Sequence, residues 1–161
     1  MSKPSFHIVL YQPVIPQNTG SIARLCACTG AQLHLIHPLG FRTDEASVKR
    51  AGLDYWDHVS IVEHATWEAF LEKHGNGDFF FFSKFSASSY FKAEFPPGAF
   101  FIFGSETTGL PDAMHHAYKD HFYQIPMRTH LVRSLNLSQA AAIVLYEGLR
   151  QHGFEGDGAP L

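Results

Sequence analysis

The sequence predicts an α/β fold, a mostly parallel sheet with helices on both faces, and three observations carry that expectation. Apolar runs of four to six residues recur along the chain, as in Phe6–Tyr11, Phe79–Phe82 and Phe100–Phe103. They alternate with segments that carry helix caps and helical spacing. The runs are nearly continuous in apolar residues, as strands are when helices cover both faces of a parallel sheet.

Taken in order, Phe6 to Tyr11 reads as a buried strand. Asn18 to Thr29 reads as a helix capped by Asn18 or Thr19 and closed by Gly30. Gln32 to Ile36 is a second strand, Asp44 to Gly52 a short helix and Val59 to Val62 a third strand. Thr66 is placed to cap a helix that runs to His74, with Gly75 at its end. Phe79–Phe82 and Phe100–Phe103 supply two more strands, and Pro111 suits the first turn of a helix reaching about Tyr118. Phe122 to Ile125 is the last strand, and Ser138 to about His152 the last helix. One domain is expected over residues 1–153, followed by a loose tail at 154–161 that holds Gly153's neighbours Gly156 and Gly158 and Pro160.

A chain of 161 residues with 45% hydrophobic and 17% charged residues has material for a conventional core, which excludes disorder. Its two cysteines, Cys26 and Cys28, stand too close in sequence to bridge easily, and such sparse thiols fit a reducing compartment. No signal-peptide core opens the chain, and its longest apolar stretch, Ala140 to Tyr146, falls short of the roughly 20 residues a bilayer requires. A soluble, cytoplasmic protein is expected. Twelve Lys and Arg against 15 Asp and Glu give a net charge of −3, which argues against holding nucleic acid by bulk charge and leaves room for a local basic site.

Three loops hold most of the polar and glycine residues that packing does not explain. The first is Pro16-Gln17-Asn18-Thr19-Gly20, leading into the helix that bears Arg24. The second runs from Phe103 through Gly104, Ser105 and Glu106 to Gly109 and Pro111. The third joins Ile125-Pro126-Met127 to Arg133-Ser134-Leu135-Asn136-Leu137-Ser138. Each follows a strand, and ligands of parallel sheets sit outside the carboxyl ends of the strands. Neither G-x-G-x-x-G after the first strand nor G-x-x-x-x-G-K-[ST] occurs, which counts against a nicotinamide or P-loop site. The 11 histidines, among them His34-x-x-His37 and the adjacent His115 and His116, repeat no zinc spacing, and no metal is expected.

In this order and spacing the loops resemble the three motifs of the SPOUT class of RNA 2′-O-methyltransferases. Asn18 to Arg24 looks like the first motif, Ile102 to Pro111 the second, and Ile125-Pro126-Met127 with Arg133 to Ala141 the third. The flanks Ile8-Val9-Leu10-Tyr11 and Arg50-Ala51-Gly52-Leu53-Asp54-Tyr55 are similar as well, so that the likeness spans about residues 6 to 153. The absence of an RNA-binding extension before it points to the tRNA (cytidine(34)-2′-O)-methyltransferases, which act on the wobble nucleotide, cytidine or a modified uridine. Methylation of ribosomal RNA and a non-catalytic RNA-binding module are the alternatives.

The resemblance implies a carboxyl-terminal trefoil knot, a homodimer, and S-adenosyl-L-methionine bound without a metal. Matched residue by residue, it puts Phe81, Gly104, Glu106, Ile125, Met127 and Ser134 at the methyl donor. It gives Arg24, Ser134 and Asn136 the catalytic roles, with Arg24 either activating the ribose hydroxyl as a base or orienting it. Arg24, Arg42, Lys49, Arg50, Arg128 and Arg133 are the cations expected to meet the tRNA anticodon stem-loop.

Overall fold

The structure, a computed structural model, describes residues 3–44, 46, 56–128 and 130–154. Six strands, β1 (His7–Tyr11), β2 (Gln32–Ile36), β3 (Ile61–His64), β4 (Phe79–Phe82), β5 (Phe100–Phe103) and β6 (Phe122–Tyr123), form one sheet in the order β3-β2-β1-β5-β4-β6. Every pairing is parallel. Helices among the described residues include α1 (Pro16–Thr29), α2 (Trp67–His74), α3 (Asp112–Ala117) and α4 (Leu137–His152).

Both sheet faces are covered, which is why the strands read as unbroken apolar runs. On one face Ile8, Leu10, Leu33, Leu35, Phe101 and Phe103 meet Ile22 and Cys26 of α1 and Val144 and Leu145 of α4. On the other, Val9, Ile36, Phe79, Phe81, Phe100 and Ile102 meet Trp67 and Phe70 of α2 and Met114 of α3. The predicted class is the observed one.

Local chemistry moves several boundaries. Helix α1 begins at Pro16, whose fixed φ and missing N–H suit a first helical position, so Asn18 and Thr19 lie inside the helix, buried, and cap nothing. Gly30 closes α1 at φ 74°, its N–H returned to the Cys26 carbonyl. Strand β3 starts two residues later than its apolar run, because the Val59 N–H is spent on the Trp56 carbonyl in a 3-10 turn at Trp56–His58. Strand β6 stops at Tyr123, and Gln124 forms a lone bridge to Ser89. Thr66 does cap α2, accepting from the Ala69 N–H at 3.0 Å. The cap of α4 is Asn136, two residues before Ser138. Apart from Asp44 and Ala46, the short helix expected at Asp44–Gly52 lies outside the described residues, as does all of the tail beyond Phe154.

Candidate active site

The three loops meet at the carboxyl ends of β1, β5 and β6, and Glu106 fastens the first two. One carboxylate oxygen accepts from the Val14 N–H at 3.0 Å, and the other accepts from the Ile15 N–H at 2.9 Å and from the Asn18 side-chain amide at 3.2 Å. These N–H groups stand at the start of α1, where the helix dipole also favours an anion. Hydrogen bonds to a charged acceptor contribute about 1.5–3 kcal/mol each, so the carboxylate is a strong tie between segments about ninety residues apart.

The third loop joins through an amide relay. Asn18 Oδ1 accepts from Asn136 Nδ2 at 3.0 Å, and Asn136 Oδ1 accepts from the Ser138 and Gln139 N–H groups at 2.9 and 3.3 Å, capping α4. Glu106, Asn18 and Asn136 thus form one continuous network across all three motifs.

In the second loop, Ser105 and Gly109 exchange backbone hydrogen bonds of 3.3 and 2.9 Å. Gly109 holds φ +67°, a left-handed conformation that glycine adopts without strain. The returning chain lies so close to Gly104 that a Cβ there would stand 2.3 Å from the Gly109 carbonyl carbon and 2.5 Å from the Leu110 nitrogen. Gly104 is therefore required by contact with backbone, which cannot move aside as a side chain can.

Between the loops opens a cavity of about 740 Å³. Gly104, Glu106, Ile125, Met127, Ser134 and Asn136 all line it. Phe81 does not. Its side chain is fully buried on the α2 face, stacked on Phe122 at 4.9 Å, while Phe82 lines the cavity. Arg24 is exposed on α1 and is not among the residues that line the cavity of the single chain. Arg128 and Arg133 are exposed beside the third loop, Arg42 pairs with Asp44 at 2.5 Å, and Lys49 and Arg50 lie outside the described residues.

The cavity rim holds two residues that the motif analysis passes over. Lys84 donates to the Arg133 carbonyl at 3.0 Å, and its ammonium sits 5.2 Å from the centre of the Phe85 ring, which is 80% exposed. The signal was in the sequence: an aromatic beside a lysine directly after a phenylalanine strand.

The histidines that stand close in sequence have different surroundings. His34 is fully buried, His37 pairs with Glu63 at 2.9 Å, and His115 stacks on Phe122 at 4.3 Å beside the cavity.

The volume falls within the roughly 300–1,000 Å³ of small-molecule sites. Apolar walls from Phe82, Leu110 and Leu137 suit the faces of a planar base, and the backbone groups of Gly104, Ile125 and Met127 suit its polar edge. With the Glu106 carboxylate occupied by three donors, the other charged side chains on the cavity wall are Lys84 and Asp112. These features fit S-adenosylmethionine, with the shape of the second loop set by the close backbone approach at Gly104.

Comparison with known proteins gives a consistent result. A tRNA (cytidine(34)-2′-O)-methyltransferase of Burkholderia ambifaria is 45% identical over 154 residues, covering 94% of this chain and 98% of the relative. The crystal structure of a Bacillus anthracis protein assigned as an RNA methyltransferase superposes with a TM-score of 0.89 at 48% identity, over 97% of this chain and 99% of the other. A structure solved to explain 2-OH methylation of C/U34 on tRNA gives a TM-score of 0.83 at 44% identity, covering 91% and 95% of the two chains. The model of the SpoU rRNA Methylase family matches residues 5–146. The chain belongs to the SpoU rRNA Methylase family.

Proposed function

We propose that this chain transfers a methyl group from S-adenosyl-L-methionine to the ribose 2′-hydroxyl of the wobble nucleotide of tRNA, cytidine 34 or a modified uridine 34. The observation that carries the proposal is the Glu106–Asn18–Asn136 network, which gathers three motif loops around one nucleoside-sized cavity. The activity of the Burkholderia relative, at 45% identity over nearly all of both chains, supports the same substrate.

S-adenosylmethionine, when bound, supplies an electrophilic methyl on a sulfonium and needs no metal. Gly104, Ile125, Met127 and Ser134 hold it, with Phe82 in the place first given to Phe81. Glu106 acts by fixing the start of α1 against the Gly104 loop. Asn136 and Ser134 position the ribose and the arginine that faces it. A guanidinium has donors and no acceptor, so Arg24 orients the 2′-hydroxyl and stabilises its oxyanion character, while the hydroxyl proton passes to solvent as the O–CH3 bond forms, the S–CH3 bond breaks and S-adenosylhomocysteine leaves. Holding donor and acceptor in line supplies at most about 7–11 kcal/mol of the barrier lowering.

A homodimer supplies what one cavity lacks. Helix α4 buries Ala141, Val144, Leu145 and Leu149 inside its own chain yet leaves Tyr146 50% and Ile143 36% exposed, an apolar surplus suited to an isologous contact. Helix α1 packs on α4, so a dimer formed there sets Arg24 beside the interface. Arg42, Lys49, Arg50, Arg128 and Arg133 meet the anticodon stem-loop. One domain over 1–153 carries the activity in the cytoplasm, its carboxyl-terminal segment knotted where the chain returns against Gly104.

Mass spectrometry of anticodon-loop fragments after incubation with protein and donor tests this. One methyl on the wobble ribose is expected, lost in Arg24→Ala with donor affinity unchanged. Methylation of ribosomal RNA fragments with none on tRNA would move the assignment to the ribosomal substrate. Donor binding without transfer to either RNA would make the chain a binding module.

A further inference from the structure

Away from the cavity, on the sheet face covered by α2, the fold collects four imidazoles from four separate elements. His7 comes from β1, His34 from β2, His64 from β3 and His74 from the last turn of α2. His34 and His64 are buried, at 0% and 2% exposure. Ring nitrogens of His34, His64 and His74 all lie within 4.8 Å of one another. Phe70 and Phe100 enclose them, with Phe70 edge-on to His34 and His64 at 5.7 and 5.2 Å.

We propose that His34, His64 and His74 form a binding site for one divalent late-transition cation, zinc by preference. Three imidazoles and no carboxylate make a donor set suited to zinc, nickel or copper and ill suited to magnesium or calcium. The His34 Nδ1 to His64 Nε2 separation is 3.0 Å. Two nitrogens on a tetrahedral zinc, bonded at about 2.0–2.1 Å, stand about 3.3 Å apart. Closing the widest spacing takes a movement of the half-buried His74, at the helix end. Three protein ligands leave the fourth position to solvent.

Proton placement favours the site. His34 uses its other nitrogen, Nε2, on His7 Nδ1 at 2.9 Å. With the proton on His34 Nε2 and donated to His7, the His34 Nδ1 lone pair points at His64. His64 then carries its proton on Nε2, bonded to His34. Moving that proton to His64 Nδ1, a change of tautomer with no change of charge, leaves two lone pairs facing one point. His7 is thereby the outer partner that orients a metal-binding histidine through its second nitrogen. Burial holds the rings in the neutral form that binds metal, pushing His34 down to about 2 and His64 to about 4, with neighbouring His74 and, for His64, Lys73 adding to the effect.

The cation would tie β2, β3 and α2 together and share no residue with the cavity at the loops. The test uses the full chain, stripped with chelator and titrated with zinc alone at neutral pH, with calorimetry, thermal melting and the visible spectrum of cobalt as readouts. One equivalent per chain, a tetrahedral cobalt spectrum and a rise in melting temperature of about 5–10 °C at saturation are expected. His64→Gln and the less buried His74→Gln should each weaken binding at least about 10-fold, and His7→Phe about 10- to 100-fold through loss of the orienting bond. S-adenosylhomocysteine affinity, read alongside, should stay unchanged and confirms that each variant is folded. No zinc uptake by the wild type overturns the proposal, and so does uptake of one equivalent with unchanged affinity by the His64→Gln, His74→Gln double variant, which would place the metal on other histidines or on exposed Cys28.

Discussion

At the carboxyl end of β1 the polar side chains reach across loops, whereas the histidines under α2 reach only to one another. The bonds among Glu106, Asn18 and Asn136, and from Glu106 to Val14, join residues about ninety to 120 apart in sequence and in different motifs, at the edge of an open cavity. His7, His34 and His64 sit on adjacent strands, two residues further along at each step, and hydrogen-bond in a line within an aromatic shell. Both regions satisfy polar groups with side chains. The first spends them on holding a shape that a ligand needs; the second stores neutral imidazoles in a place where charge is costly. The two should therefore fail differently, the loop end by losing ligand affinity and the histidine end by losing stability.

The loop end breaks first at Gly104. A methyl group there meets backbone at 2.3–2.7 Å on three atoms, so the Gly109–Leu110 segment must move or the chain must strain. Overpacking of this kind costs about 1–3 kcal/mol, and here it displaces the Gly109–Leu110 backbone that lines the cavity. Gly104→Ala is expected to abolish measurable S-adenosylhomocysteine binding in calorimetry while the circular dichroism of the folded sheet persists. Donor affinity within about threefold of the wild type would show that the second loop has slack the geometry denies it.

Much of this end was legible in the sequence. Glycines and a lone carboxylate directly after an apolar strand mark a loop of special shape, and the strands at Gln32–Ile36, Phe79–Phe82 and Phe100–Phe103 begin and end at the residues the sequence predicts. The errors are those of period and of distance. Phe81 and Phe82 are both apolar and adjacent, and a one-residue slip in a strand exchanges the faces of the sheet, so composition gave no means to choose between them. Val59 reads as strand because it heads the apolar run to Val62, and composition does not show that its N–H turns back to the Trp56 carbonyl. The histidine line was illegible for a different reason: its members are spaced 27, 30 and 10 residues apart in sequence, and only the parallel register of β1, β2 and β3 sets three of them on one face, with α2 delivering the fourth.

The histidine end should break with acid. In metal-free protein, burial holds His7 down to about 4, His34 to about 2 and His64 to about 4, and lowers His74 as well, against an ordinary value of 6.5. His74 lowers the other three, and Lys73 lowers His64 and His74. Because the folded values are depressed, the unfolded chain takes up more protons. The stability is fully present above 6.5 and is lost as pH falls toward 4. Each histidine that stays neutral in the fold and charges on unfolding lowers stability by about 1.4 kcal/mol per pH unit in that window. Chemical denaturation in chelator between pH 6.5 and 5 should show a loss of several kcal/mol, above the range in which most carboxylates titrate. A flat profile would mean that the imidazoles charge without penalty and that the two ends of β1 do not differ as described.

The smallest expected effect concerns the rim that joins the loop end to RNA. Phe85 is 80% exposed, and Lys84, whose ammonium sits beside its ring, donates to the Arg133 carbonyl of the third loop. An exposed ring at the mouth of a nucleoside-sized cavity is a surface on which an unstacked base of tRNA can lie. Stacking of that kind contributes about 1–3 kcal/mol per base and depends little on which base it is. Phe85→Ala should weaken tRNA binding about 5- to 30-fold, with donor affinity and the salt dependence unchanged because no charge is removed. Phe85→Tyr should restore binding, since it returns the ring. Arg133→Ala supplies the contrast: its loss should shrink as salt rises, whereas the Phe85 loss should not. A Phe85→Ala chain that binds tRNA within about twofold of the wild type at every salt concentration would leave the ring as an ornament of the rim, and recognition to the cations alone.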